Sequence, residues 1–321
     1  MSQSTVLVTG GRGFIGRHLV QTLRGDGVNV RVLTRSKAHQ PDEIEGDLSD
    51  PSALARACAG VDIVFHCAGY AHAFSASGAD ESRLHWVINY EGSVNIARAA
   101  AQAGVRHLVF LSSVKASGDG GDECIDETWP LPPDSPYGQA KLVAEQALLE
   151  IGAASGMQVT ALRPALVYGL GGRGNMERMG ALVKRGLFPP LPETGNRRSL
   201  VHVSDLVAAM RRVANEPRAA GRIYIVAHPH APSGRALYDA MRAALGYRPW
   251  RWAVSRSVLE VAAGLGEWAG RVTGHRMPFD GEIFSRLLGS ACYSPARIER
   301  ELGWRAQVGL EAGLREMFSG R

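Results

Sequence analysis

The chain of 321 residues carries 36 Lys and Arg against 31 Asp and Glu, a formal net charge of +5, with 45% hydrophobic and 21% charged residues. That balance is ordinary for a globular protein, and the scattered basic residues form no dense run that would track a nucleic-acid backbone, so no nucleic-acid partner is expected. No segment approaches the roughly 20 apolar residues of a membrane span; the nearest, "VLEVAAGLGEWAG" at 258–270, holds Glu260 and Glu267 and reads as an amphipathic helix, so no stable membrane insertion is expected either.

In chain order, β-branched runs at 5–9, 28–33, 62–67, 106–112 and 158–163 predict strands, and the stretches 14–25, 51–58, 83–103 and 138–155 predict helices. In "NYEGSVNIARAAAQAG" the residues Val94, Ile96, Ala97 and Ala100 form an apolar stripe at helical spacing, and Gly104 ends it. Such alternation predicts an α/β fold: a doubly wound parallel sheet with right-handed crossovers and helices on both faces. After Arg163-Pro164 the pattern changes. Residues 1–168 read as a dinucleotide-binding domain to which 201–226 return, while 169–200 and 227–321 read as a smaller substrate lobe. The N-terminus enters a strand almost at once, leaving no room for a signal peptide. Cys58, Cys67, Cys124 and Cys292 lie far apart without CxxC spacing, which argues against a zinc site or a disulfide framework and fits a reducing cytosol.

The first motif is "TGGRGFIGRHL" at 9–19, where Gly11-x-Gly13-x-x-Gly16 follows a strand and opens a helix. The same segment also reads Gly10-x-x-Gly13-x-x-Gly16. In that context the glycines allow a tight turn and close backbone approach, and the helix N-terminus offers unpaired N–H groups to a pyrophosphate. An NAD site usually places an acid near the end of the second strand; here Thr34 stands there, followed by Arg35. Arg35 and Arg12 together tilt the cofactor from NAD(H) to NADP(H), unless both are solvated surface arginines. Asp47 in "GDLSD" is placed to accept from an adenine amino group or to cap the next helix, a role open equally to Ser49 and Asp50.

Further along, "SPYGQAKLVAE" puts Tyr137 and Lys141 four apart, on one face of a helix. An ammonium beside a phenol stabilises phenolate and lowers its pKa. Ser113 ends the strand "HLVFLSS", the edge at which a doubly wound sheet binds ligands. Serine, tyrosine and lysine around a nicotinamide make a carbonyl/alcohol redox site.

With TGxxGFxG, Ser113 and Tyr137-x-x-x-Lys141 in place, the chain resembles the extended short-chain dehydrogenase/reductases over nearly its whole length. "NYEGSVNIARAA" and "RPALVYGLG" resemble the branch acting on nucleotide sugars. "SSVKASG", "NRRSLVHVSDL" and "RLLGSACYSPARIERELGW" look like bacterial UDP-sugar 4-epimerases and UDP-4-keto-sugar reductases of polysaccharide clusters. The resemblance implies a Rossmann fold, cytoplasmic location and a homodimer formed through helices 83–103 and 138–155. It implies cofactor contacts at Phe14, Ile15, Leu48, His66, Ala68, Gly69 and Pro164, besides those already named, and Asn89 as the residue that steadies the site's backbone. It implies substrate contacts at Ser113, Lys115, Asn175, Arg198 and Arg286; of the adjacent Arg197 and Arg198 one should be solvent-exposed, and His202 reads as a packed strand histidine. The family's dehydratases carry an acidic pair directly after the serine, where Val114 and Lys115 stand, and its 3,5-epimerising members carry cysteine at the second of these positions, so both activities are disfavoured. Hydride transfer at C4 of a UDP-hexose remains, as a 4-epimerase or a 4-ketoreductase, with the two arginines tilting slightly to the ketoreductase. The resemblance also puts the family's sugar-size gate near Ser290 and Ala291, whose small side chains would leave room for a 2-acetamido group. Reduction of a non-sugar carbonyl is the further alternative.

Overall fold

The computed structural model describes residues 4–71, 79–172, 174–261, 264 and 288–319. Its centre is a seven-stranded parallel sheet. In chain order its strands are β1 (Thr5–Thr9), β2 (Asn29–Thr34), β3 (Glu43–Glu45), β4 (Ile63–His66), β5 (His107–Leu111), β7 (Gln158–Pro164) and β10 (Arg222–Val226). In space they run β10-β7-β5-β4-β1-β2-β3. The order reverses between β1 and β4, and the crevice above that switch point is where such sheets bind ligands.

Side chains alternate along each strand, so each face acquires its own core. Val6 and Val8 point to the face covered by α1 (Phe14–Gly25) and α7 (Val203–Ala214), packing with Leu19, Leu23, Leu206 and Met210. Leu7 points to the other face, where Leu54, Ile96, Ala144 and Leu148 come from α2 (Pro51–Cys58), α4 (Gly92–Gln102) and α5 (Pro136–Ser155). A separate cluster holds the smaller lobe, joining Tyr168, Met176, Leu237, Met241, Leu314 and Phe318. Its helices include α6 (Asn175–Lys184) and α8 (Gly234–Ala244), and a two-stranded pairing of β8 (Leu166–Tyr168) with β9 (Leu200–His202) links it to the sheet.

The five expected strands stand within a residue of their expected bounds, and β10 returns to the sheet beside β7. Two features differ. Strand β3 has only three residues, too short to show a period in sequence. The helix expected at 83–103 is interrupted by a π-helical stretch, His85–Glu91, between α3 (Ala79–Leu84) and α4. Such widened turns recur at functional sites because they shift side chains off the regular face.

The expectation that no disulfide forms is overturned. Cys124 and Cys292 are linked, with their Cα atoms 4.4 Å apart, on two short strands (β6, Cys124–Ile125, and β11, Cys292–Tyr293) that pair in parallel. Their separation of 168 residues gave no local spacing signal. Cys58 and Cys67 remain thiols, pushed up by burial to about 11 and about 12.

Two histidines lie inside this fold as neutral rings. Burial holds His66 down at about 3 and His107 at about 4, against an ordinary value of 6.5. The unfolded chain therefore takes up protons that the native state refuses, so their contribution is complete above about pH 6.5 and is lost as the pH falls towards 4 and then 3. Urea denaturation should show stability falling by about 4 kcal/mol between pH 7 and pH 5; a flat profile over that window would contradict buried neutral rings.

Candidate active site

The glycine loop is shaped by what a side chain would strike. A Cβ on Gly16 would lie 2.2 Å from the Gly10 carbonyl oxygen, and Gly10 itself turns through φ +70°. Gly13 precedes α1 with no side-chain cap, and the first bond of the helix runs from the Arg17 N–H to the Gly13 carbonyl. The N–H groups of Phe14, Ile15 and Gly16 thus open the helix without capping from its own N-cap side chain, a ready cradle for a diphosphate. The dinucleotide expected from the motif fits this loop.

Behind it lies a buried polar chain. Thr9 Oγ1 meets His66 Nδ1 at 2.6 Å, and His66 Nε2 meets Ser93 Oγ at 2.9 Å. Ser93 donates to the Asn89 carbonyl at 2.7 Å, and the Ala68 N–H donates to Thr9 Oγ1 at 3.2 Å. The His66 side chain is fully enclosed, so it braces the β1 and β4 ends from behind and leaves only its backbone to face a ligand. Asn89 Oδ1 accepts from the Tyr70 N–H at 2.8 Å and its Nδ2 donates to the Tyr70 carbonyl at 2.9 Å. Gly69, just before, is exposed, and a Cβ there would come within 3.0 Å of Asn89 Oδ1 and 3.4 Å of Lys141 Nζ.

The second half of the site is set by helix α5. Ser135 caps it, accepting from the Gly138 N–H at 3.1 Å, and Pro136 fills its first turn. Gly138 lets the helix start press against the short turn Val114–Ser117, since a Cβ would fall 2.4 Å from the Lys115 carbonyl oxygen. That approach brings Tyr137 to Ser113. Burial pushes the phenol above its ordinary value, and a hydrogen bond with the Ser113 side chain works in the opposite direction. Lys141 is buried, donates to the Leu111 carbonyl at 2.9 Å and lies 4.6 Å over the Phe110 ring. Burial lowers its pKa to about 8, while Glu145, one turn on, raises it. The expected lowering of the tyrosine by this lysine is thus not found: desolvation governs the phenol, and the ammonium is spent on a strand carbonyl and a ring face. Glu145 is itself fully buried, clamped by Arg163 at 2.6 Å, and Arg163 also donates to Ser117 Oγ at 3.0 Å. Ser112 Oγ is buried beside Ser113 with no partner among the described residues.

One group at the site carried no sequence signal strong enough to be picked out. His85 lies with its ring centroid 5.4 Å from that of Tyr137 and 5.1 Å from that of Tyr70, and its Nδ1 stands 3.2 Å from Asn89 Nδ2. Burial lowers its pKa, opposed by Glu81. Its spacing four before Asn89 was the available clue.

The remaining candidates divide. Arg12 does not stand open to a ribose phosphate: it pairs with Glu43 at 2.7 Å, donates a second bond to the same carboxylate at 3.0 Å and a third to the Lys37 carbonyl. The guanidinium holds Glu43 down at about 2. Half of the argument for NADP(H) is thereby removed, because a carboxylate already occupies the fork. Arg35 is exposed and acts on Asp47 electrostatically. Asp47 is exposed and bonds Ser49, while Asp50 caps α2, so the helix-cap reading of Asp47 falls away. Leu48 is half-buried, its carbonyl held by Asn95 at 3.0 Å, and Pro164 is buried at the β7 end. Lys115 and Asn175 are exposed. The loop before Asn175 is tied to α1, since His18 bonds the Leu170 carbonyl at 2.9 Å and Arg17 the Gly171 carbonyl at 3.2 Å. Of the arginine pair, Arg197 is exposed and Arg198 half-buried, donating to the Gly289 carbonyl at 3.1 Å. Ser290 Oγ donates to Asp122 at 2.9 Å, so this end of the lobe is joined to the loop after β5. His202 is a packed histidine, edge-on to Tyr168 at 5.2 Å and bonded to Ser204. Arg286 lies outside the described residues.

Residues 6–227 match the model of the NAD dependent epimerase/dehydratase family. The chain belongs to that family, in the epimerase branch of the extended short-chain dehydrogenase/reductases. A UDP-glucose 4-epimerase of Vibrio cholerae is 29% identical over 97% of this chain and 94% of its own. A 2-alkyl-3-oxoalkanoate reductase of Stenotrophomonas maltophilia is 28% identical over 97% of this chain and 98% of its own. The solved structure of MoeE5 in complex with UDP-glucose and NAD superposes with a TM-score of 0.76 at 28% identity, covering 98% of both chains.

The Arg12–Glu43 pair yields a direct expectation. In Glu43→Gln the freed fork can meet a 2′-phosphate, so the ratio of kcat/KM for the phosphorylated over the unphosphorylated cofactor should rise roughly tenfold. Steady-state kinetics with both cofactors, on a variant of unchanged thermal midpoint, checks it.

Proposed function

We propose that the protein transfers hydride at C4 of a UDP-hexose, as a 4-epimerase holding NAD. The observation that carries the reading is the meeting of Ser113, just past β5, with Tyr137 and Lys141 on α5, two separate parts of the chain brought together beside a glycine-cradled helix start. The dinucleotide, when bound, supplies a hydride acceptor and donor. Gly10, Gly11, Gly13, Phe14, Ile15 and Gly16 would hold its diphosphate; Gly69 and Asn89 would form the wall by the nicotinamide ribose, with Lys141 at its hydroxyls.

Tyr137 takes the proton from the C4 hydroxyl as the alcohol becomes a ketone, and returns it when the ketone is reduced. Ser113 holds the same oxygen, which orients the carbon and favours the charge that develops on it. Burial alone makes the phenol a reluctant acid. The Ser113 hydrogen bond and the positive charge of an oxidised nicotinamide are therefore what would bring it towards neutral pH. A buried Glu145–Arg163 pair keeps the lysine's side of the helix from shifting. For an epimerase the keto-sugar must turn between removal and return of hydride, which asks for a lobe that grips the diphosphate and leaves the hexose room. Arg198 is the candidate for that grip, and the small Ser290 and Ala291 near it suit a sugar with a 2-acetamido group.

The earlier tilt to a ketoreductase rested on two arginines, of which one is occupied. The exposed Arg35 still favours that second reading, in which hydride is delivered once from an exchangeable reduced cofactor. The likeness to an oxoalkanoate reductase keeps a non-sugar ketone in view. Pairing of this chain with a second copy through the faces of α4 and α5 belongs to the same proposal.

Tyr137→Phe should lower kcat by roughly a thousandfold while cofactor affinity changes little. Activity within a few-fold of the parent would end the proposal. UDP should raise the thermal midpoint of the parent; a protein unmoved by UDP and stabilised by an apolar ketone would assign the substrate to the other class. Mass spectrometry of the co-purifying dinucleotide separates the two sugar reactions, retained NAD speaking for the epimerase.

A further inference from the structure

The smaller lobe carries a surface that the reaction does not use. Leu187 is 69% exposed, Val261 64%, Val258 57%, Trp252 54%, Trp250 43% and Tyr247 41%. They come from two stretches, 182–190 at the end of α6 and just beyond it and 247–261, which touch: the Tyr247 hydroxyl donates to the Lys184 carbonyl at 3.3 Å, and the Val254 N–H to the Pro190 carbonyl at 2.9 Å. Isolated apolar residues on a surface are ordinary, whereas two indoles, a phenol and three aliphatic side chains on adjoining stretches are not.

The aromatic groups are presented by a fixed backbone. Arg235 donates to the Leu191 carbonyl at 3.0 Å, to the Trp252 carbonyl at 3.3 Å and to the Trp250 carbonyl, and is itself held by Asp239 at 2.7 Å. The indoles of Trp250 and Trp252 lie 5.6 Å apart between centroids. The Arg242 guanidinium sits 5.0 Å over Trp250 and 5.3 Å over Tyr247. Beneath, Val254, Leu259 and Phe188 pack into the lobe's core, so the strip is anchored by one set of apolar residues while another faces out.

Charge decides what the outward set fits. Across these two stretches there are five basic side chains, Lys184, Arg185, Arg248, Arg251 and Arg256, all exposed, and one acid, Glu260, which is paired with Arg256 at 2.9 Å. A second copy meeting this face about a two-fold axis would set the cations against one another. An anionic bilayer surface meets both halves of the chemistry: indole and phenol rings prefer the headgroup level, aliphatic side chains the layer beneath, and arginines the lipid phosphates. No helix among the described residues is long and apolar enough to cross a membrane, so the contact is peripheral.

We propose that the face formed by Tyr247, Trp250, Trp252, Val258 and Leu187, ringed by Arg248, Arg251, Lys184 and Arg185, docks the protein onto an anionic lipid bilayer. The test is co-sedimentation of the full chain with vesicles of phosphatidylcholine containing one-quarter phosphatidylglycerol, beside vesicles of phosphatidylcholine alone. The parent should partition onto the anionic vesicles at low salt, with a blue shift of tryptophan emission, and bind the neutral ones roughly tenfold less or weaker. Trp250→Ser with Trp252→Ser should remove the blue shift and lower partitioning roughly tenfold. The separate pair Arg248→Glu and Arg251→Glu should do the same by charge alone, with the thermal midpoint and UDP response unchanged in both. Parent protein that ignores anionic vesicles, or variants that bind as the parent does, would overturn the proposal. So would a self-association that the tryptophan variants abolish without any vesicle binding by the parent. Because the readout is partitioning, a failure here leaves the hydride-transfer reading untouched, and the reverse holds too.

Discussion

A buried ammonium is the tie on which the site depends. Lys141 reaches from the second turn of α5 to the carbonyl of Leu111, the last residue of β5, and so locks the helix to the strand end that carries Ser113. A lysine enclosed to this degree is costly unless its charge is met, and here the carbonyl, the Phe110 ring face and the nearby Glu145 meet it. With the helix held there, Tyr137 at its first turn has one place to be, against Ser113. Gly138 is the steric counterpart of the same constraint, because any larger residue would lift the helix off the turn at Lys115.

The cofactor half of the site is organised differently, by backbone and neutral hydrogen bonds. Thr9, His66, Ser93 and Asn89 form a chain of buried partners that joins β1, β4 and the π-helical turn behind the crevice. Asn89 passes that rigidity on to Tyr70 and the exposed Gly69. His85 sits on the same widened turn and lays its ring beside Tyr137, so one irregularity in a helix supports both halves. The Arg12–Glu43 ion pair lies at the outer rim, where it bears on what the glycine loop can recognise rather than on whether the loop forms.

Much of this was legible in the chain itself. Five strands of the sheet and its helices announced themselves through period and caps, and the glycine loop, Ser113 and the Tyr137–Lys141 spacing were visible because each lies within one element and its chemistry requires particular residue types. The features that escaped share a different property. Arg12 and Glu43 are 31 residues apart, Cys124 and Cys292 168, and neither pair has a spacing rule. Strand β3 is three residues in an acidic stretch, and the π-helical turn is indistinguishable from α-helix by its apolar stripe. The direction of the Tyr137 shift was misread for a related reason: a lysine four residues away names a neighbour, while desolvation depends on everything that surrounds the hydroxyl.

The amino-acid order by itself therefore determined the doubly wound sheet, the place of the glycine loop and the identity of the three candidate side chains, since period, caps and glycine placement are local properties. Which charges stand open and which are already paired was decided only by the tertiary structure. Arg12 is spent on Glu43 and Lys141 on a carbonyl, while Arg248 and Arg251, either side of Trp250, are exposed, because burial and pairing are set by residues that sequence distance keeps apart and folding brings together.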